Sequence, residues 1–319
     1  MPDHTAPLRL GANVWNQYTS WAGWLAAQQR AADAGYDSLW TWDHVYPIVG
    51  SPEGPILEAM TAIAALAATT TRGSIGLMVG ANTFRNPALT AKMITTIDHI
   101  SGGRAVLGIG AAWFATEHTG FGFDFGDGFP ERLRRLGEAL PIMRAMLDGT
   151  PHTATGRYTT DAVRNDPPPV QRRLPILIGG GGRKVTLKLV AKHADANNLG
   201  GTIENVRDAE AELLRHCEAL GRDERTIERT VGTGTVIIRD SREEARRVFL
   251  SMFAGNGGAT PWENQPVGTP EDVAAHLAPY VELGYHHLIA GFPAPHDAES
   301  ITRFAGEVRP ALARLVGAS

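Results

Sequence analysis

This chain of 319 residues has one cysteine, Cys217, so it can form no internal disulfide. Leu213, Leu214 and Leu220 surround that cysteine on a helical stretch, which marks a packed thiol rather than a reactive one. No apolar run reaches the roughly 18 residues a membrane span needs. Positive charge is not in excess: 30 Lys and Arg stand against 34 Asp and Glu, for a net charge of −4. That balance argues against nucleic acid and against an acidic membrane surface as partners. The opening residues Met1-Pro2-Asp3-His4-Thr5 have no basic flank and no apolar signal core, so a cytoplasmic location is expected. Several catalytic signatures are also missing. There is no His-Glu-x-x-His, no paired cysteine motif, no Gly-x-Ser-x-Gly elbow and no Gly-x4-Gly-Lys-Ser/Thr loop. His286 and His287 are adjacent near a strand, so their side chains point to opposite faces and cannot share one ion. Metal catalysis is therefore not expected.

What is present is alternation. Strand-like runs fall at residues 8–14, 38–42, 74–79, 105–109, 175–178, 194–198, 231–238 and 287–290. Helical patterns lie between and after them, at 21–34, 57–70, 88–100, 131–147, 184–192, 206–220, 242–253, 271–283 and 298–315. The segment 74–110 reads as strand, helix and parallel strand, and its strands are near-continuous apolar runs buried on both faces. Eight such alternations predict an α/β fold, a single (β/α)8 TIM-type barrel with long loops at its C-terminal mouth. A doubly wound open sheet is the alternative, because periodicity does not report closure. One domain over 1–319 is expected, with insertion loops around 110–130, 149–173 and 254–268. Helix starts are signalled at Asn86-Pro87 and at Thr269-Pro270-Glu271-Asp272, and helix stops at Gly35 and Gly284.

Chemistry in such barrels sits at the C-terminal ends of strands. Trp42-Asp43-His44 ends strand 2. There His44 can move a proton or orient a reacting group, and Asp43 can hold the imidazole or cap the turn. Gly80-Ala81-Asn82 and Gly110-Ala111-Ala112 are small residues where backbone can approach a flat ligand. Gly179-Gly180-Gly181-Gly182 follows strand 5 and precedes a helix with Arg183 and Lys184, an arrangement that suits a phosphate. The alternative is a tight strand-to-helix turn. Arg85 is either a contact to an acidic ligand or a rim salt bridge. Trp15, just past strand 1, and Trp113, past strand 4, are assigned to the substrate pocket. Glu117 and His118 are adjacent on a helix, so they diverge, and an exposed face is expected for them.

Taken in order, these motifs resemble the luciferase-like monooxygenase superfamily in its deazaflavin (coenzyme F420) branch. The resemblance runs over nearly the whole chain. It rests on Trp42-Asp43-His44, on Thr83-Phe84-Arg85-Asn86-Pro87-Ala88 with Lys92, and on Ile100-Ser101-Gly102-Gly103-Arg104 leading to Gly108-Ile109-Gly110-Ala111-Ala112-Trp113. Pro167-Pro168-Pro169-Val170-Gln171-Arg172 before the glycine run and Val267-Gly268-Thr269-Pro270-Glu271-Asp272-Val273 complete it. It implies a cis peptide at Met78–Val79 behind the cofactor ring and His44 beside the ring's reactive carbon. Gly179, Gly180 and Gly181 would meet its phosphate, and Arg183 or Lys184 its anionic tail. Hydride transfer between coenzyme F420 and a small-molecule substrate follows, with a homodimer as the expected assembly. The sugar-phosphate dehydrogenases of this branch carry a carboxylate where this chain has Trp113. A reductase of an activated C=C or C=N bond therefore fits better than sugar oxidation. Two alternatives remain: an oxygen-using enzyme of the same superfamily that takes reduced FMN from a partner flavin reductase, and a flavin-binding barrel without turnover.

Overall fold

The computed structural model describes residues 7–255 and 264–317. The N-terminal stretch read above and the middle of the expected 254–268 loop lie outside the described residues. Eight parallel strands form the barrel: β1 (Arg9–Val14), β2 (Ser38–Thr41), β3 (Ser74–Leu77), β4 (Ala105–Gly110), β5 (Ile176–Gly179), β6 (Ala196–Gly200), β7 (Glu228–Thr235) and β8 (His287–Phe292). Each pairs with the next, and β8 returns to β1 through six residue pairs, from Arg9 with His287 to Val14 with Phe292. That last pairing decides for the closed barrel over the open sheet. Helices α1 (Trp21–Asp33), α2 (Ala59–Thr69) and α3 (Pro87–Ser101) follow the first three strands. Two helices, α4 (Ala115–Phe121) and α5 (Phe129–Leu147), follow β4. Then come α6 (Thr186–His193), α7 (Ile203–Leu220), α8 (Arg242–Gly255) and α9 (Pro270–Glu282). The C-terminal run is broken into α10 (Ala298–Arg303), a π-helical turn at Phe304–Val308 and α11 (Arg309–Gly317).

The helix ends behave as their residues require. The Asn86 side chain accepts from the N–H groups of Ala88 and Leu89 ahead of Pro87, and Thr269 with Asp272 forms a reciprocal capping box. Cys217 is buried, as its apolar neighbours imply, and desolvation raises its pKa. Differences lie in the irregular parts. The 110–130 segment contains α4. The 149–173 segment contains an antiparallel hairpin, His152–Ala154 against Thr160–Val163, whose short polar strands have no apolar alternation to betray them. The seventh strand stops at Thr235 after a bulge between Gly232 and Gly234, and Ile237–Ile238 pairs instead with Val267–Gly268.

Side chains alternate between two cores. The outward set, including Leu10, Ala12, Leu39, Ile75, Leu107 and Ile176, packs under the helices. The bore holds a smaller set: Trp40, Val106, Leu177, Ala196 and Ile289. Trp40 fits there because Gly11 and Gly76 beside it have no side chains. A Cβ on Gly76 would lie 2.6 Å from Trp40 Cζ3, and one on Gly11 would lie 3.1 Å from Trp40 Nε1. Below Trp40 a polar chain closes the bore. Trp40 Nε1 donates to Ser38 Oγ (2.6 Å), Ser38 bonds His287 Nε2 (2.7 Å), and His287 Nδ1 bonds Glu228 (2.9 Å). The aromatic plug thus separates the two mouths of the barrel.

One helix-end histidine makes stability depend on pH. Burial, then Lys192 and Arg144, push the pKa of His193 down to about 4. Between the ordinary histidine range and that value, the unfolded chain binds the proton more readily, so stability falls as pH falls from about 6.5 toward 4. His193→Gln removes this titration. Across pH 7 to 4, urea unfolding is expected to show a loss smaller by about 1–2 kcal/mol in the variant, after discounting for partial exposure.

Candidate active site

A cleft of about 550 Å³ opens at the C-terminal ends of β2 to β6. A larger cavity, about 670 Å³, lies at the opposite mouth, beneath Trp40. Its acids are already engaged: Asp37 with Arg309, Asp195 with Arg144 and Arg173, and Glu228 with Arg9. The C-terminal cleft is the one on which the sequence-assigned residues converge. His44, Asp43, Met78, Val79, Gly110, Ala111, Gly179, Gly180, Gly181 and Trp113 all line it.

One wall comes from the end of β3. The Met78–Val79 peptide is cis, and the chain then rejoins the sheet at Gly80–Ala81 beside β4. The methyl groups of Val79 occupy space that side chains on neighbouring strands would need. A Cβ on Gly179 would lie 2.8 Å from Val79, and one on Gly110 would lie 2.9 Å away. Glycine at both positions lets three strand ends meet as a nearly bare surface. Beyond it, the glycine run leads into α6, which starts after Val185 with no side-chain cap. The Leu187 N–H already bonds Gly182 O at 3.1 Å, so only the remaining N–H groups of that first turn are left to meet an anion.

The opposite wall is aromatic. Trp42 packs against Trp15 with ring centroids 4.1 Å apart, and His44 meets Trp113 at 5.7 Å and Phe114 at 6.2 Å. Trp113 is 59% exposed at the rim. Trp15 is buried behind Trp42 and supports the wall rather than lining the cleft.

Three assigned residues serve other contacts. Asp43 does not hold His44. Its carboxylate receives both ends of the Arg85 guanidinium, at 2.7 and 2.9 Å, and the Ala81 N–H at 2.8 Å. Arg85 also reaches Glu58, the N-cap of α2, at 2.8 Å. Burial alone would depress the Arg85 pKa, but the two carboxylates outweigh it and raise it. Arg85 is thus the rim salt bridge. Asn82 lies under the cleft floor, donating its N–H to Gly110 O (3.0 Å) and its amide to the Tyr158 hydroxyl (3.2 Å). Arg183 stands outside the cleft, paired with Asp208 at 2.8 Å.

The expectation for Glu117 and His118 is corrected. They do diverge, but both are 1% exposed. His118 bonds Phe114 O and the Thr83 hydroxyl, each at 2.7 Å, tying α4 to the loop after β3, and burial lowers its pKa. Glu117 turns the other way and meets His44 Nδ1 at 2.9 and 3.1 Å, with Val45 N–H on the same carboxylate at 3.0 Å. A carboxylate thus reaches His44 from four residues beyond Trp113. Glu117 lies in the first turn of α4, four residues past Trp113 in the chain. Only the turn of α4 onto β2 shows what it reaches.

A family model for luciferase-like monooxygenases matches residues 9–265. The chain belongs to the luciferase-like monooxygenase family. Among curated luciferase-like relatives, an F420-dependent glucose-6-phosphate dehydrogenase from Kineococcus radiotolerans is 28% identical over 97% of this chain and 98% of its own length. An FMNH(2)-dependent dimethylsulfone monooxygenase from Pseudomonas putida is 23% identical over 72% of each chain. Among solved structures, an F420-dependent secondary alcohol dehydrogenase in complex with an F420-acetone adduct superposes with a TM-score of 0.80. It is 18% identical and covers 96% of this chain and 99% of its own, so it shares the luciferase-like barrel.

The Asp43 network makes a stability prediction separable from chemistry. Asp43→Asn keeps the shape but leaves Arg85 without its buried charge partner. Denaturant unfolding is expected to register a loss of about 2–4 kcal/mol. A variant of unchanged stability would show that the pair does not anchor the strand end.

Proposed function

We propose that this protein is an oxidoreductase that transfers a hydride between coenzyme F420, the deazaflavin, and a small organic substrate. One observation carries the proposal: the cleft joins a bare, flat wall at Val79, Gly110 and Gly179 to a glycine-lined helix start, with His44 across from them. The residues present fit the group. The flat wall suits a tricyclic ring. The Gly180 N–H is held by Asn198 O at 2.9 Å, so the N–H groups of Gly181 and Gly182 are the ones that suit its phosphate. Arg183 and Lys184, just outside, suit an anionic tail. The F420-dependent relatives, which span nearly the full chain, support the same choice.

When bound, the deazaflavin supplies a carbon that gives or accepts a hydride. The remaining work falls to this chain. Val79 and the glycines would support one face of the ring and so help orient it. His44 Nε2 moves the proton that balances the hydride. Trp42, Trp113 and Phe129 give the mouth an apolar rim. For the substrate we favour an activated C=C or C=N bond. The wall facing His44 is aromatic, and no Lys or Arg lies among the described residues lining the cleft to neutralise a sugar phosphate. The FMN-dependent relative supports a second reading, a monooxygenase fed with reduced FMN by a partner reductase.

Fluorescence titration of the purified protein separates the two. Tight binding of F420 with weak binding of FMN is expected, and the reverse selects the monooxygenase. Gly179→Ala, whose Cβ would press on Val79 at 2.8 Å, is expected to weaken F420 binding roughly tenfold or more. His44→Asn is expected to retain F420 binding while turnover falls by a factor on the order of 10²–10⁴. Full turnover in that variant removes His44 from the reaction.

A further inference from the structure

We propose that Glu117 is a positioning residue: it holds His44 with the proton on Nδ1 and so presents Nε2 to the cleft as a proton acceptor. The proposal rests on the reaction above only for what the proton accompanies. The tautomer itself is a property of the protein alone.

The geometry leaves one assignment. Both Glu117 oxygens lie within 3.1 Å of His44 Nδ1, and an ionised carboxylate only accepts hydrogen bonds. Nδ1 must therefore carry the hydrogen. In the neutral ring, Nε2 is then the nitrogen with the free lone pair. Glu117 sits in the first turn of α4 and accepts the Val45 N–H on Oε2 at 3.0 Å. Its side chain is 1% exposed, against 13% for His44, and His44 is its only ion-pair partner among the described residues. When Nε2 takes a proton, the imidazolium charge thus forms against a carboxylate already in place, with no solvent to reorganise.

The groups around the ring do not compete for it. Trp42 meets it edge-on at 6.4 Å, and Trp113 and Phe114 approach at steep angles. The adjacent histidine, His118, has both nitrogens engaged elsewhere. Asp43, the chain neighbour of His44, is saturated by Arg85 and Ala81. The proton balance is then explicit. In the oxidising direction, a substrate O–H or N–H proton passes to Nε2 as the C–H electron pair leaves as hydride. In the reducing direction, the Nε2 proton passes to the substrate atom that receives the displaced electron pair.

A structural role alone, capping Val45, would also bury Glu117. The two roles separate in Glu117→Gln. The glutamine carbonyl must face the Val45 N–H, because the alternative sets two donors against each other. The amide NH2 then takes the place of Oε1, 2.9 Å from Nδ1, and donates to it. The nearer group facing Nδ1 is then a donor, and the carbonyl at 3.1 Å is shared with Val45, so the balance shifts toward the Nε2-protonated tautomer, which cannot accept. A two-dimensional ¹⁵N–¹H spectrum of histidine-labelled apo-protein reads this directly, with the His44 signals assigned by their loss in His44→Asn. The neutral wild-type ring is expected to carry its hydrogen on Nδ1, and the Glu117→Gln ring on Nε2. Turnover in Glu117→Gln is expected to fall by a factor on the order of 10²–10⁴, with the F420 dissociation constant within about twofold of wild type. A wild-type ring protonated on Nε2 overturns the proposal, and that spectrum needs no variant to fold. A Glu117→Gln protein that keeps the Nδ1 tautomer and its turnover also overturns it. A flipped tautomer with unchanged turnover upholds the positioning and removes His44 from the reaction instead.

Discussion

The mouth of this barrel is organised around one buried carboxylate. Asp43 is 2% exposed and accepts three hydrogen bonds, two from Arg85 and one from the Ala81 backbone. Such an anion is stable in a low-dielectric interior only when its charge is met and its lone pairs are filled. Meeting both conditions fixes the end of β2, the continuation of β3 and the loop before α3 relative to one another. Through Glu58 it reaches the start of α2 as well. His44 follows Asp43 in the chain, so its position is inherited from this network. Asp43 thus acts on the site through the backbone, while Glu117 acts on the imidazole directly.

The cleft takes its shape from what is left out. Glycines 108, 110 and 179 stand where a Cβ would collide with Leu77 or Val79. Gly108 is the most constrained, since a Cβ there would lie 1.9 Å from the Leu77 carbonyl oxygen. The same rule governs the bore lower down, where Gly11 and Gly76 give Trp40 its room. A barrel interior must be packed without voids or overlap. Here the Trp40 indole, with Val106, Leu177, Ala196 and Ile289, does the filling at mid-height, and the strand ends above it stay open. The asymmetry between a plugged base and a bare, aromatic-walled mouth follows directly.

Much of this was legible before any coordinates. Apolar runs at intervals, Asn86-Pro87, the Thr269 capping box and the four glycines are local signals, each interpretable within one turn or strand. So is the placement of His44, because strand 2 has to end there. The 152–163 hairpin was not legible, since short polar strands carry no period. The role of Asp43 was misread for a related reason. Its neighbour in sequence is His44, but its charge partner, Arg85, lies 42 residues away.

The sequence alone determined the eight-fold alternation, the capped helix starts at Asn86 and Thr269 and the set of residues that gather at one end, because these depend on periodicity and on backbone preferences of single residues. Tertiary structure alone decided closure and partnership. Whether β8 meets β1 depends on strand tilt and register around the whole ring. Whether Glu117 faces solvent or His44 depends on how α4 settles on the barrel rim, with the two groups 73 positions apart in the chain. Burial and charge pairing act across space, and a linear pattern does not record which distant groups will share one low-dielectric site.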